Sequence, residues 1–226
     1  MLAPVAHVPC EVLVLAAFHP ELAALRPLLG DAMHGRVGGV DVVGRVVGIG
    51  LPMAAAGAAM QLAELRPRTV VLIGTCGAYV GSGLVLGDVV AARRIRLASL
   101  SAADGVAQFP EPMSVVCDAH PGTLGALVRA GAQEADVATT LAITVDDAAA
   151  ARISRATMAQ AEHLEAHGVA TACAARGIPF GAALGVANFV GSRAREEWRA
   201  HHRQAAAAAA DRVMKCLPLL HDAVGG

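Results

Sequence analysis

The chain has 226 residues, 55% of them hydrophobic and 16% charged, so it can bury a sizeable core and is not a disordered polypeptide. A formal net charge of −1 and an aromatic content of 3% argue against a nucleic-acid-binding surface, which needs clustered basic side chains or stacking rings. This length fits one domain, and we expect residues 1–226 to form a single one.

The cysteines and apolar segments bear on location and partners. Five scattered cysteines without a C-x-x-C pair favour neither a disulfide framework nor a zinc site. The amino terminus lacks the basic region of a signal peptide. The uncharged stretch 69–87 contains five glycines, which suit strands and turns better than a membrane-spanning helix. We therefore expect a cytoplasmic protein that binds no membrane, no metal and no cofactor.

Hydrophobic periodicity predicts alternating strands and helices. Strands are predicted at 11–18, as a pair within 36–50 joined near Gly38 and Gly39, at 69–73, from residue 87, at 137–145 and at 178–187. Helices are predicted from Pro20, from Pro52 to Leu65, and at 121–132, 165–176 and 193–217. The strands are continuously apolar, which indicates an α/β fold with a largely parallel sheet covered on both faces.

Ligands of such folds bind at the loops beyond the carboxyl ends of the strands, and two segments put suggestive groups there. Glu21 follows the first strand where a helix opens, a position that also favours an acid electrostatically. The glycine turn in VGIGLPMAAA lets the backbone approach a ligand closely. It is neither a dinucleotide-binding fingerprint nor a P-loop, so a dinucleotide or triphosphate site is not expected.

Two later segments add candidates. Thr75 lies in the glycine-rich run GTCGA, predicted to be a loop that holds an anion, a sugar hydroxyl or a water. Glu165, predicted on an apolar helix, and Asn188, at the end of an apolar strand, need partners that a polar ligand could supply. His163 and Glu165 are expected to diverge, because helical residues two apart face different directions. Cys76 is expected to be a small loop residue rather than a nucleophile.

The ordered segments AAFHPEL, VGIGLPMAAA, IGTCGAY, VLGDVV, LEAHGVATAC and GIPFGAALGVANFV carry a resemblance. The chain resembles the purine nucleoside phosphorylase/nucleosidase superfamily, above all the 5′-methylthioadenosine/S-adenosylhomocysteine nucleosidases and the futalosine hydrolases. The segments span roughly residues 11–190, with a poor match between about 96 and 140. The resemblance implies a three-layer αβα sandwich with a central mixed, partly barrel-like sheet. It also implies hydrolysis of the N-glycosidic bond of a small-molecule purine nucleoside.

The resemblance assigns roles to individual residues. Glu21 takes the place of the acid that activates the attacking water. Ile49 takes the place of a turn residue at the 5′ end of the nucleoside. Thr75, with its neighbours Cys76 and Gly77, takes the place of the hydroxyl and backbone groups that hold the water and the sugar.

Further assignments concern the ribose and the base. Leu164 and Glu165 replace a Met-Glu pair whose acid binds the ribose hydroxyls, and Phe180 joins the expected substrate-binding set. Asn188 stands where adenine nucleosidases carry an aspartate that protonates N7, and an amide cannot deliver that proton. In having asparagine at this position, the chain resembles enzymes that act on 6-oxopurine nucleosides. A nucleoside such as futalosine, from menaquinone biosynthesis, is the expected substrate.

Arginines distinguish the remaining possibilities. Arg193 and Arg195, near the start of the last helix, are candidates to bind the carboxylate of futalosine, although most arginines in such positions face solvent. The arginines that bind phosphate in phosphorylases are replaced by Leu72 and by the Phe18-His19-Pro20 segment, so water is the expected nucleophile.

Alternatives stay open. These are a methylthioadenosine/adenosylhomocysteine nucleosidase, a phosphate-dependent phosphorylase and a nucleoside-binding paralogue without turnover. The sparse surface charge and the resemblance together predict a homodimer or a larger homo-oligomer.

Overall fold

The structure, a computed structural model, describes residues 10–223, with side chains described up to residue 220. The strands are β1 (Val12–Ala16), β2 (His34–Val37), β3 (Val40–Val46), β4 (Thr69–Ala78), β5 (Val89–Leu97), β6 (Val116–Asp118), β7 (Gln133–Thr139), β8 (Ala161–His163) and β9 (Phe180–Phe189). The helices are α1 (His19–Leu22), α2 (Arg26–Leu29), α3 (Leu51–Leu65), α4 (Leu100–Ala103), α5 (Pro121–Arg129), α6 (Asp147–Thr157), α7 (Ala166–Ala174) and α8 (Ala194–Ala223). A 3₁₀ turn at Ala23–Leu25 joins α1 to α2.

One mixed sheet holds the nine strands of the described chain, in the order β2-β3-β1-β4-β8-β7-β5-β6. Strand β9 pairs with both β4 and β5, so that β4, β8, β7, β5 and β9 close into a small barrel. The expected α/β fold with a mixed, partly barrel-like sheet is confirmed. The pair of strands predicted around Gly38 and Gly39 is the antiparallel hairpin β2–β3. The apolar pattern, which indicated a largely parallel sheet, missed the antiparallel pairs β4–β8, β5–β6 and β5–β9, because the buried strands among them are as continuous in apolar residues as parallel strands are.

Helices cover both faces of the sheet. In β1, Leu13 and Leu15 pack in the apolar cluster that includes α3 and α7, while Val12 and Val14 pack in the cluster that includes α5 and α8. Successive side chains of a strand point to opposite faces, which explains why this strand is apolar throughout. No helix in the described part of the chain has both the length and the apolar character needed to cross a bilayer.

Three predicted elements differ from the structure near the candidate residues. The run GTCGA is the second half of β4 rather than a loop, because it pairs with β9 on one side and β8 on the other. The predicted strand at 137–145 ends at Thr139. Residues 161–163 form β8, and Glu165 immediately precedes α7 instead of lying within a helix.

Candidate functional site

The Glu21 carboxyl group is buried at the carboxyl end of β1, with only 4% of the residue exposed. The backbone N–H of Ala17 donates to Oε2 at 3.1 Å, and the backbone N–H of Thr75 donates to Oε1 at 3.1 Å. Burial, with repulsion by Glu165 as the second cause, raises the pKa of Glu21 to about 8. A carboxyl group with this pKa can exchange a proton near neutral pH, as a general base must.

Thr75 connects Glu21 to the last helix. The Thr75 hydroxyl lies 3.5 Å from Glu21 Oε1 and accepts a hydrogen bond from the indole Nε1 of Trp198 at 3.1 Å. Trp198 stacks on His202, with ring centroids 4.3 Å apart, and packs at a tilt against Phe18. Trp198 lies outside the expected set of site residues, and its only sequence signals are its single occurrence and its position one turn beyond Arg195.

Each carboxylate oxygen of Glu165 has a close polar neighbour. The backbone N–H of Gly50 donates to Oε1 at 2.7 Å, and His163 Nε2 lies 3.3 Å from Oε2. Both side chains are almost completely buried. The expected divergence of His163 and Glu165 is wrong, because the two residues lie at the end of β8 and just before α7 rather than on one helix.

Gly74 marks the point where these groups converge. A Cβ on this residue would lie 3.1 Å from Glu21 Oε1 and 3.2 Å from His163 Nε2, both closer than ordinary van der Waals contact. The absence of a side chain therefore lets the Glu21 carboxyl group and the His163–Glu165 pair approach each other. The structure thus brings together two predicted acids that are separated by 144 positions in the sequence.

Asn188 lies near the end of β9 and is 8% exposed. Its Nδ2 donates to the carbonyl oxygen of Phe189 at 2.9 Å. Gly77 makes room for the amide, since a Cβ there would lie 2.7 Å from Asn188 Nδ2. Among residues 10–220, no group donates to Asn188 Oδ1, so the amide has hydrogen-bonding capacity left for a ligand.

Of the other expected residues, Ile49 and Leu164 flank the site. Ile49 precedes Gly50 and is 63% exposed, and Leu164 is half-buried between His163 and Glu165. Their neighbours Gly50 and Glu165 share a hydrogen bond, which places the VGIG turn beside the Leu164-Glu165 segment.

Cys76 and Phe180 have their side chains in the apolar core rather than in the site. Cys76 lies between Thr75 and Gly77 on β4, and its side chain points to the opposite face of the strand, into the apolar core. Its thiol lies 3.8 Å from the Leu184 carbonyl oxygen. Burial raises the pKa of this thiol to about 12, which makes it a poor nucleophile. Phe180 begins β9, about 26 Å along the strand from Asn188 at about 3.3 Å per residue. Its assignment to the substrate-binding set is corrected by this position.

The two expected arginines also lie away from the buried groups. Arg193 has 73% of its side chain exposed and forms a 3.5 Å ion pair with Glu197. Glu197 in turn accepts from the backbone N–H of Phe189 at 2.8 Å. Arg195 is exposed on α8. The structure therefore does not bring either guanidinium group together with Glu21 or Glu165.

A cavity of about 250 Å³ lies beside Glu21 and Thr75. It is smaller than the roughly 300–1,000 Å³ of a typical small-molecule site, so it has room for part of a ligand. The lining is mainly apolar and comes from the α1 region, from β4 and from α8: Phe18, Pro20, Glu21, Ala23, Ala24, Thr75, His202, Arg203, Ala206 and Ala207. His202 and Arg203 were not predicted as site residues, because they lie on a helix whose pattern indicates only high helix propensity.

A metal centre has no support in residues 10–220. No group of three or more histidine, cysteine, aspartate or glutamate side chains in this range is arranged to hold a metal ion.

The chain is similar to a protein family and to several solved structures. The model of the phosphorylase superfamily matches residues 8–218. The 5′-methylthioadenosine/S-adenosylhomocysteine nucleosidase of Colwellia psychrerythraea, solved with adenine, superposes with a TM-score of 0.83 at 22% identity, over 94% of this chain and 96% of that chain. The Neisseria meningitidis enzyme of the same name, solved with methylthio-immucillin-A, superposes with a TM-score of 0.82 at 23% identity, over 92% of this chain and 98% of that chain.

A third solved structure, the futalosine hydrolase of Helicobacter pylori strain 26695, gives a TM-score of 0.82 at 16% identity, over 93% of this chain and 98% of that chain. At these identities the similarity establishes the shared fold. No curated protein sequence matches the chain.

Proposed function

Because the chain belongs to the phosphorylase superfamily, we propose that it hydrolyses the N-glycosidic bond of a purine nucleoside, with Glu21 as the base that activates water. The observation that carries this proposal is the buried Glu21 carboxyl group, with its pKa near 8, facing the His163–Glu165 pair across Gly74. A water-activating acid is useful to a hydrolase and not to a protein that only binds nucleosides.

The proposed reaction uses four groups. Glu21 takes a proton from water, and the water oxygen bonds to C1′ of the ribose. The bond between C1′ and N9 breaks, and its electron pair remains on the purine. Glu165 binds the ribose hydroxyls, Thr75 holds the sugar and the water, and Asn188 hydrogen-bonds to the departing base. The released purine then takes up a proton from solvent or from Glu21.

The finer proposal is that the base is a 6-oxopurine, as in futalosine. Asn188 supports it, because its amide can donate to and accept from an oxopurine but cannot protonate adenine. The exposed Arg193 and its Glu197 partner give no support to a carboxylate site on that arginine. Methylthioadenosine and adenosylhomocysteine remain alternative substrates, and their relative rates decide the specificity.

The test is base release from inosine, futalosine and methylthioadenosine in phosphate-free buffer and in buffer with phosphate, followed by chromatography of the products. The proposal predicts free purine and free sugar without phosphate, and loss of this activity in Glu21→Gln. Strict dependence on phosphate, with a sugar 1-phosphate as product, would make the protein a phosphorylase. Nucleoside binding without base release, unchanged in Glu21→Gln, would make it a binding protein.

We also propose that the protein is a homodimer or a larger homo-oligomer. Exposed large apolar side chains include Ile49, just before α3, and Met53 in the first turn of α3, at 63% and 60% exposure. They also include Leu141, Ile143 and Val145 in the segment after β7. Apolar side chains at this density favour burial against a partner. Light scattering at micromolar concentration should give at least twice 22.8 kDa, and a mass near 22.8 kDa would refute the proposal.

A further inference from the structure

The imidazole of His163 is fixed by the start of α7. Its Nδ1 accepts from the backbone N–H groups of Glu165 at 3.2 Å and Ala166 at 3.1 Å. Since Nδ1 is an acceptor in both contacts, the ring proton lies on Nε2. Only 3% of the side chain is exposed, and burial lowers the pKa of His163, so the ring is neutral with a defined tautomer.

The Nε2 atom, which carries the N–H of this ring, lies beside Glu165. Nε2 lies 3.3 Å from Glu165 Oε2, while the backbone N–H of Gly50 donates to the other oxygen. The carboxylate is therefore held between a strand-end histidine and the turn before α3. The Glu165 carboxylate also lies near a second acid, because Glu21 Oε1 and His163 Nε2 both approach the position where Gly74 lacks a side chain. The nearness of the two acids is also the second cause of the raised pKa of Glu21.

We propose that His163 is a positioning residue, which orients Glu165 toward the ribose hydroxyls of the nucleoside through its Nε2–H. This inference rests on the proposed function, because it assumes that Glu165 binds the sugar. A side chain that binds two hydroxyls must be held in a narrow range of orientations, since small displacements weaken both hydrogen bonds.

Two substitutions separate this role from the structural role of the ring. In His163→Asn, the side-chain oxygen can still accept from the backbone N–H groups that begin α7, as asparagine does at helix starts, but no donor reaches Glu165. In His163→Gln, the longer side chain can place its amide N–H near Oε2 of Glu165. His167→Asn is the matched control, because His167 is also a buried histidine, lies on α7 and contacts Thr171 rather than Glu165.

The inference predicts that His163→Asn raises KM for the nucleoside about tenfold or more, with a smaller change in kcat, because the 3.3 Å contact between the ring N–H and the Glu165 carboxylate is lost. His163→Gln should recover most of this loss, and His167→Asn should leave KM unchanged. In a Glu165→Ala background, His163→Asn should have no further effect on KM. Equal effects in both backgrounds, or failure of glutamine to rescue while both variants melt like the wild type, would overturn it.

Crystal structures of the two variants provide a test independent of activity. In His163→Asn the Glu165 carboxylate should leave its position against the Gly50 N–H, and in His163→Gln it should keep it. An unchanged carboxylate in both variants would overturn the positioning role even if the wild type proves active. A wild type that neither binds nor cleaves nucleosides would instead refute the proposed function, while a displaced Glu165 would still support the positioning of this carboxylate by His163.

Discussion

Replacement of Glu21 by glutamine tests the electrostatics of the site through protein stability. The folded protein holds the Glu21 proton more tightly than the unfolded chain, because burial raises the pKa from the usual 4.5 to about 8. Wild-type stability should therefore decrease as the pH rises above 4.5, and the loss should be complete above pH 8. A glutamine cannot ionise and escapes this loss.

The magnitude follows from these two pKa values. Between pH 5.5 and 8.5, ionisation of Glu21 should cost the folded state about 3 kcal/mol, at about 1.4 kcal/mol per unit of pH below the folded-state pKa. Glutamine has its own cost, because its amide cannot accept from both Ala17 and Thr75, but that cost is the same at both pH values. The change in the difference between the two proteins isolates the carboxyl group.

Urea unfolding of the wild type and Glu21→Gln at pH 5.5, 7.0 and 8.5 measures this change. The free energy of unfolding of Glu21→Gln relative to the wild type should rise by about 3 kcal/mol from the lowest to the highest pH. The rise should be smaller in a Glu165→Gln background, which removes the carboxylate repulsion. A difference that does not vary with pH would mean that Glu21 ionises normally and is not the tuned base that the reaction requires.

Three further substitutions test other contacts of the site. Gly74→Ala should lower kcat without unfolding the protein, because the new Cβ presses on Glu21 and His163, whereas Gly125→Ala on helix α5 should leave kinetics unchanged. Asn188→Asp should speed release of adenine from methylthioadenosine by about 10²-fold, since a carboxyl group can protonate N7; no gain would place the base elsewhere. Trp198→Phe should lower kcat/KM about fivefold, because a neutral hydrogen bond to the Thr75 hydroxyl is lost. An unchanged kcat/KM would show that the indole N–H plays no part in the reaction.

The residues at strand ends were the most predictable part of the site. Glu21 and Asn188 follow or end strongly apolar runs, and the pattern of such runs places them at one edge of a sheet. The order of the motifs added the fold, including the mixed sheet that hydrophobicity alone missed. These features depend on local sequence, which is why they could be read without a structure.

The contacts that assemble the site were not predictable in the same way. The GTCGA run resembles a loop because glycine is frequent in turns, yet here Gly74 and Gly77 leave space for groups from α1, β8 and β9. The His163–Glu165 contact depends on where β8 ends and α7 begins, because a helix that began at His163 instead of Ala166 would make the two side chains diverge. The first feature depends on register between distant segments, and the second depends on the boundary between a short strand and a helix. The amino-acid pattern of a single sequence specifies neither.

The central claim is hydrolysis of a purine nucleoside by water that Glu21 activates. The most direct measurement is the rate of purine release in phosphate-free buffer, for the wild type and Glu21→Gln, from pH 6 to pH 9. We predict a wild-type kcat/KM that rises with pH toward a plateau above about 8, free sugar as the second product, and, on that plateau, a rate at least about 10²-fold lower in Glu21→Gln. Purine release that requires phosphate, or that persists at the wild-type rate in Glu21→Gln, would contradict the claim.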